Sequence, residues 1–349
     1  MSTPVREAPP RKEPVSATAA AGRAGGLLVL AGVLVLTMAA SLAIGAESIP
    51  LDRVVAGLLH PDGSREALII QDLRVPRTLL GVAVGAALGL AGALMQALTR
   101  NPMAEPGLLG VNGGAAFAVV LVIGFLDART SLVYVWAAFA GAAGAALLVY
   151  AVGSYGRAGA TPSRLVLAGA ALNAVFSALT AGVMLLDPRN FDGFRFWQVG
   201  SLSGRDLEVF AQLGPFMLGG AVLALLLARP LNALALGEEA GRALGVNPGR
   251  TRVLGALAIV VLCGSATAAV GPIWFLGLAV PFMVRSAIGP DQRWVLPYSL
   301  LLAPVLLLAA DIAGRVLARP GELETGIVTA FVGAPVFIWM VRRGKAPKL

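Results

Sequence analysis

The chain has 349 residues, of which 57% are hydrophobic and only 13% are charged, and its mean hydropathy is +0.81. This composition excludes an ordinary soluble globular protein and indicates a polytopic, all-α membrane protein. The sequence contains a single cysteine and a single histidine, which excludes a disulfide framework and a Cys/His metal centre, so we expect no metal or cofactor in this chain. Because a helix needs about 20 residues to cross a bilayer, there is room for roughly ten spans with short loops.

The amino-terminal part divides into a tail and a first span. Residues 1–26 are rich in Pro, Ala, Gly and charge and show no periodicity, which predicts a disordered tail. The apolar run Leu27–Ile44 is longer than the core of a signal peptide and is followed by further apolar segments, so it predicts the first spanning helix.

The second span follows the sequence L-R-V-P-R at residues 73–77 and ends near Leu98. Small residues recur on one face of this span, which predicts a helix inside the bundle that neighbouring backbones approach closely. These residues are Gly81, Gly85, Gly89 and Gly92. The segment Arg100–Gly110 that follows contains two prolines and cannot be continuous helix. Eight more spans are predicted at residues 108–126, 131–153, 163–186, 210–228, 253–270, 273–288, 295–312 and 327–341.

The distribution of charge predicts the orientation. With a cytoplasmic amino terminus, seventeen of the 27 Lys and Arg residues but only six of the 19 Asp and Glu residues lie on the cytoplasmic side. This asymmetry agrees with the positive-inside rule. Both termini, including the tail at residues 344–349, and the polar stretch Leu234–Arg252 are therefore predicted to be cytoplasmic.

The stretch Leu234–Arg252 is the one long polar break between two sets of apolar segments. Its acidic residues Glu238 and Glu239 favour a helix start, and Gly245 favours a helix stop. Asn247 and Pro248 then predict the N-cap and first residue of the next helix. The short helix predicted between these signals has small residues, Ala240 and Gly241, beside one protruding Leu244. It either enters a groove on another protein or only closes a loop at the membrane surface.

Polar residues within the spans are candidates for a transport path. Asn173, Ser177 and Thr180 share one face of the fifth span, and Thr325 and Thr329 repeat this pattern more weakly in the tenth. They either line a wetted path or form ordinary hydrogen bonds between helices. Apart from Asp311, the spans lack deep ionisable groups, which disfavours an ion-driven secondary carrier, and the sequence has no P-loop with which to bind ATP.

Six stretches together resemble the FecCD-type permeases, which import iron-siderophores, haem and cobalamin. They are L-R-V-P-R (73–77), Q-A-L-T-R-N-P-M-A-E-P-G-L-L-G (96–110), F-W-Q-V-G-S-L (196–202), E-A-G-R-A-L-G (239–245), A-V-P-F-M-V-R (279–285), and A-D-I-A-G-R through G-A-P-V-F-I-W (310–339). The resemblance implies a ten-helix permease domain at residues 27–343, built from two inverted five-helix repeats and located in the bacterial plasma membrane. Its implied partners are ATPase subunits, an extracytoplasmic binding protein, a second permease copy or homologue, and the lipid bilayer, with no nucleic acid.

The resemblance also implies roles for individual residues. The sites carried over are coupling to the ATPase (Glu238, Glu239, Ala240, Gly241, Leu244, Gly245), docking of the binding protein (Arg74, Arg77, Arg315), lining of the path by the fifth and tenth helices, and a cytoplasmic gate (Asn101, Met103, Thr161, Ser163). The sequence departs from the family at Phe282 and Gln292, where histidine is usual. The expected function is import of an iron-siderophore by alternating access, and the alternatives are cobalamin or haem import, or a secondary transporter driven by an ion gradient.

Overall fold

The computed structural model describes residues 17–60, 63–126, 130–155, 162–186, 194–195 and 197–342. Within these residues the chain is helical and its elements are joined by short turns. The helices are α1 (Ala17–Ala43), α2 (Leu51–Leu59), α3 (Arg65–Leu68), α4 (Val75–Thr99), α5 (Val111–Leu126), α6 (Ser131–Ser154), α7 (Pro162–Leu186), α8 (Leu207–Leu226), α9 (Ala228–Ala235), α10 (Glu238–Ala243), α11 (Pro248–Val270), α12 (Leu276–Ile288), α13 (Gln292–Leu317) and α14 (Thr325–Arg342).

The all-helical membrane fold predicted from composition is confirmed. In the described part of the chain, seven helical segments are long and apolar enough to cross a membrane, namely α1, the segment containing α3 and α4, α6, α7, α8, α11 and α13. The apolar helices α5, α12 and α14 lie at the three other predicted spans but are shorter. The number of ten spans and the two inverted repeats stay predictions.

The first helix begins earlier than predicted. Residues 1–16 lie outside the described residues, but α1 starts at Ala17, so the predicted tail boundary at residue 26 is ten residues too late. Alanine, which is abundant in this segment, is the strongest helix former. The Tyr298 hydroxyl on α13 donates a 2.7 Å hydrogen bond to the carbonyl of Arg23, which fixes this end of α1 to the bundle.

The L-R-V-P-R sequence lies within a helix, not before one. A π-helical segment, Ile69–Arg74, joins α3 to α4, so the helical run continues from Arg65 to Thr99. Pro76 lacks a backbone N–H group. It sits in the first turn of α4, where a residue without an N–H donor is tolerated. This arrangement brings Arg74 and Arg77 to one end of the longest buried helix.

Helix α4 occupies the centre of the bundle and packs against α8, α11, α12 and α13. Its glycine face permits these contacts. A Cβ atom on Gly85 would lie 2.6 Å from Cα of Pro304 in α13, and one on Gly92 would overlap the carbonyl oxygen of Gly277 in α12. The prediction of a bare face that neighbouring backbones approach is therefore confirmed.

Helices α5 and α12 are each preceded by a short segment outside the α-helices, and these two segments contact each other. The segment before α5 contains Glu105, and the segment before α12 ends at Phe275, whose backbone φ is +68°. The Glu105 carboxylate accepts a 3.2 Å hydrogen bond from the backbone N–H of Phe275. This bond satisfies a donor at the start of α12 and links the two segments.

The close approach at Gly92 is testable. We expect Gly92→Ala to lower the free energy of unfolding by about 1–3 kcal/mol, because the added methyl group forces α4 away from α12. Thermal unfolding of the purified protein in detergent measures the effect. Gly219→Ala on α8 is the matched control, since no described atom lies within 4 Å of its Cβ position. Equal stability of the two variants would show that the glycine face is not required for packing.

Candidate functional site

The predicted short helix in the Leu234–Arg252 stretch is present as α10 (Glu238–Ala243). Gly245 follows it with a φ of +79°, and Asn247 caps α11 by accepting a 3.1 Å hydrogen bond from the backbone N–H of Arg250. The predicted stop and restart of the chain are therefore confirmed. We call the end of the bundle that carries α10 the coupling end.

The exposed face of α10 differs in one residue from the predicted face. Glu239, Ala240 and Leu244 are exposed, Leu244 by 64%. Gly241, predicted to belong to the same face, is buried against α9, and a Cβ atom there would lie 3.4 Å from Cδ2 of Leu234. That distance is an ordinary contact, so alanine also fits at this position.

Glu238 faces the bundle and binds two arginines. It forms ion pairs with Arg252 on α11 and, at 3.5 Å, with Arg242 one turn along α10. The hydrogen bond from Arg252 and the positive charge of that residue lower the pKa of the Glu238 carboxyl group. The carboxylate therefore stays ionised at neutral pH and holds α10 on α11.

Two further polar contacts fix α9, and with it α10, to the bundle. The Asn232 side chain donates a 2.6 Å hydrogen bond to Asp291 and accepts a 2.8 Å hydrogen bond from the backbone N–H of Gln292, at the start of α13. The Arg100 guanidinium, directly after α4, donates to the carbonyl of Leu234. The coupling end thus connects α10 to α4, α11 and α13.

A cluster of buried charges lies at the other end of α4, which we call the cluster end. Asp311 on α13 is fully buried, accepts a 2.8 Å hydrogen bond from Arg77 and forms an ion pair with Arg315 at 3.1 Å. The hydroxyl of Thr325 donates to the same carboxylate at 2.7 Å, and Arg77 also pairs with Glu322 at 2.7 Å. Arg77 and Arg100 are separated by 23 residues, which corresponds to about 35 Å of helix.

Arginines from other helices cap the end of α1, whose last turn has no basic residue of its own. Arg74 donates to the carbonyls of Leu42 at 2.6 Å and Ala43 at 2.9 Å, and Arg315 donates to the carbonyl of Ser41 at 3.0 Å. Cations at the carboxyl end of a helix complement its dipole and satisfy carbonyls that have no partner within the helix.

These contacts change the interpretation of the three arginines predicted to dock a binding protein. Arg74, Arg77 and Arg315 are only 6%, 8% and 2% exposed, and each bonds within the chain. They lie at a cavity of about 300 Å³ whose lining also includes Glu47, Asp72, Ser203, Arg205, Asp206 and Glu322. Charge reversal at the buried arginines would disrupt packing before it tested docking. Their contact with a binding protein stays a prediction.

The predicted path residues fall into two groups. On α7, Ser177 is exposed and Thr180 is buried, and both line a cavity of about 450 Å³, whereas Asn173 lies half-buried beside Gly113 of α5. On α14, both hydroxyls are hydrogen-bonded within the chain. Thr325 donates to Asp311, and Thr329 donates to the carbonyl of Gly326 at 2.9 Å. Their assignment to the lining stays a prediction.

The predicted gate residues lie at the coupling end. Asn101 accepts a 2.9 Å hydrogen bond from the backbone N–H of Met103, whose side chain is 49% exposed, and Ser163 lies in the first turn of α7. Thr161 lies outside the described residues.

The two residues that replace the usual histidines are both buried. Phe282 makes an edge-to-face contact with Phe337 of α14, at a centroid distance of 6.4 Å, and Gln292 lies at the start of α13.

Several residues of these networks have no role in the sequence analysis, among them Arg100, Asn232 and Glu322. Asp311 was noted only as an isolated ionisable group. The signal that identifies its partner is the spacing of Asp311 and Arg315, which lie one turn apart in an apolar helix and so pair on one face.

In the part of the chain that the structure describes, no group of three His, Cys, Asp or Glu residues is arranged to hold a metal ion.

Comparison with known proteins identifies the family. A model of the FecCD transport family matches residues 33–343. The chain belongs to the FecCD transport family. Among FecCD relatives, the ferric enterobactin transport system permease protein FepD of Escherichia coli (strain K12) is 52% identical over 322 residues, which cover 91% of this chain and 94% of FepD. The probable siderophore transport system permease protein YfiZ of Bacillus subtilis (strain 168) is 41% identical over 91% of this chain and 96% of YfiZ.

The fold is also similar to a solved structure of a metal-chelate type ABC transporter in an inward-facing conformation. The TM-score is 0.80 at 28% sequence identity, and the match covers 92% of this FecCD chain and 99% of the other. The fold and the family, both expected from the ordered motifs, are therefore confirmed.

The buried charge cluster yields a prediction about stability. We expect Asp311→Asn to lower the free energy of unfolding by about 3–5 kcal/mol, because Arg315 loses its buried counter-charge and Arg77 keeps only its pair with the partly exposed Glu322. Thermal or denaturant unfolding of the purified protein measures this loss. Arg65→Gln is the control, since Arg65 and Glu47 form an exposed pair at 3.5 Å whose removal costs under about 1 kcal/mol. A loss at Asp311 no larger than at Arg65 would contradict the assigned role of the cluster.

Proposed function

We propose that this chain is the membrane permease of an ATP-driven importer, and that its cargo is a ferric siderophore. The identity to FepD, 52% along 94% of that protein, carries the proposal. The chain is 41% identical to the Fe(3+) dicitrate permease FecC and 37% identical to the hemin permease HmuU. The greater identity to FepD than to these citrate and hemin permeases favours a ferric siderophore over citrate or haem.

The geometry of α10 supports docking to an ATPase subunit. Its inner face is anchored by Glu238 and Gly241, while Glu239, Ala240 and Leu244 are exposed on the outer face. A flat patch with one apolar side chain and one carboxylate suits a groove on a partner. Because α10 is joined to α4, α11 and α13, movement of a bound ATPase is transmitted to three helices that cross the bundle.

Transport then proceeds by alternating access. Closure of the ATPases moves the coupling end, and α4 carries that motion along about 35 Å to the cluster end. The ion pair of Asp311 with Arg77 and its hydrogen bond from Thr325 hold α4, α13 and α14 together at that end, so these helices move jointly. The polar groups of Ser177 and Thr180 on α7 offer hydrogen bonds to a polar cargo at the wall of the path.

The remaining partners follow from the same arrangement. The coupling end faces the cytoplasm, in agreement with the charge asymmetry, and the binding protein docks at the cluster end around the cavity lined by Asp72, Arg205 and Glu322. A second permease copy or homologue covers apolar side chains exposed on α7 and α14, such as Val175 at 50% and Phe331 at 76%. The gate lies at the coupling end, around Asn101, Met103 and Ser163.

Charge reversal on the exposed face of α10 tests the coupling. We expect Glu239→Arg to abolish uptake and the ATPase activity stimulated by the binding protein, because it places a cation in a contact built around a carboxylate. Membrane insertion should be normal, since Glu239 is exposed. Glu208→Arg, also at an exposed acid but at the start of α8, is the control and should retain uptake. Uptake by Glu239→Arg equal to that of the control would reject the coupling role.

The cargo is tested by reconstituting the complete importer in liposomes. We expect ATP-dependent uptake of ferric enterobactin, measured with radioactive iron, to exceed uptake of ferric citrate or hemin supplied at equal concentration. Omitting the ATPase subunits should remove uptake. Accumulation driven by a proton or sodium gradient in liposomes that lack those subunits would instead establish a secondary transporter, and preferred uptake of hemin would overturn the siderophore assignment.

A further inference from the structure

An apolar cavity lies at the coupling end, away from the path and from the charge cluster. Its volume is about 240 Å³, roughly that of eight water molecules in the liquid. The wall is formed by the ends of α4 and α6 and the beginnings of α7 and α11, and includes Leu98, Leu165, Ala256 and Ile259. A space of this size with so few polar groups does not hold water well, so it suits a hydrocarbon.

The opening of the cavity indicates where the hydrocarbon comes from. Two lining residues, Tyr150 on α6 and Val253 on α11, are 45% and 52% exposed. Both helices are long and apolar enough to cross a membrane, so the exposed apolar surface of these helices is available to lipid. A lipid acyl chain therefore reaches the cavity directly from the surrounding leaflet.

The polar rim of the cavity is basic. Arg252 lines it with a side chain that is 38% exposed, and Arg250, two residues earlier, is exposed at the start of α11. One nitrogen of Arg252 pairs with Glu238, but a guanidinium has five N–H groups in a planar fork that also fits a phosphate. Tyr150 adds an amphipathic ring of the kind found where membrane meets water.

We propose that this cavity binds an acyl chain of an anionic phospholipid from the cytoplasmic leaflet, with the lipid phosphate at Arg250 and Arg252. The apolar wall takes the chain, and the two arginines complement the headgroup. The site is adjacent to the ion pair that holds α10, because Arg252 belongs to both. The cytoplasmic position of the headgroup depends on the orientation given under the proposed function, whereas the occupancy of the cavity does not.

Photo-crosslinking in lipid nanodiscs tests occupancy of the cavity. The complete importer is placed in nanodiscs containing phosphatidylglycerol with a diazirine at the end of one acyl chain, and labelled peptides are identified by mass spectrometry. We expect labels on the α11 segment around Ala256 and on α6 near Tyr150. Ala256→Phe should reduce this labelling about tenfold, the loss expected when two methylene groups are excluded from the cavity.

The matched control is Leu257→Phe, which adds an aromatic ring one residue away at an exposed position that does not line the cavity. It should leave the labelling unchanged, and this comparison separates filling of the cavity from a general change in lipid contact. Equal labelling of wild type and Ala256→Phe would overturn the proposal. An unlabelled cavity together with a cross-link from Tyr150→Cys to a second copy of the chain would also overturn the proposal, because a protein surface would then cover the opening.

The headgroup is tested with a second pair of variants. Wild type should label more strongly with phosphatidylglycerol than with phosphatidylcholine, and Arg252→Gln should lose that preference. Glu238→Gln removes the same ion pair but keeps the arginine, so it should retain the preference. Inorganic phosphate should not displace the photolipid, because it lacks the acyl chain. A preference that survives Arg252→Gln, or displacement by phosphate alone, would contradict the assigned headgroup site.

Discussion

The close packing of α4 against its neighbours is the constraint on which the other features depend. Gly85 and Gly92 let the backbones of α13 and α12 approach α4 to distances that any side chain would prevent. In a bilayer the hydrophobic effect does not drive helices together, so close backbone contact supplies much of the attraction between them. A central helix held in this way cannot shift independently of its neighbours, so in the proposed mechanism a displacement at one end is carried to the other.

The polar contacts at the two ends of α4 have different roles. At the cluster end, Asp311 joins Arg77 and Arg315 in a buried network. The net contribution of this network to stability is small relative to hydrophobic packing, but its directional bonds determine which helices pack together. At the coupling end the contacts are partly exposed and involve backbone carbonyls and single ion pairs, such as Glu238 with Arg252. The coupling end is therefore the more adaptable of the two, as suits a surface that binds and follows another subunit.

Much of this architecture was predictable from local patterns in the sequence. Glycine spacing identified the buried face of α4, and the sequence E-E-A-G-R-A-L-G followed by N-P identified α10 and the start of α11. Such signals depend on neighbouring residues only. The roles of Arg74 and Arg77, and the contact of Arg315 with Ser41, were not predictable in the same way, because these partners are far away in the sequence. Arg77 and Asp311, for example, are 234 residues apart. The contact of Thr325 was not predictable either. Its spacing from Thr329 suggests a path, whereas its hydroxyl donates a hydrogen bond to Asp311 on the preceding helix.

The central claim is that the outer face of α10 binds an ATPase subunit while its inner face binds the rest of the permease. The most direct measurement is chemical cross-linking from single cysteines introduced on α10, in a Cys263→Ala background, within membranes that contain the complete importer. The account predicts that Leu244→Cys forms a cross-link to the ATPase subunit and that Gly241→Cys, which faces α9, does not. A cross-link from Gly241→Cys alone, or labelling of Leu244→Cys by an impermeant reagent from the outer side of intact cells, would contradict it.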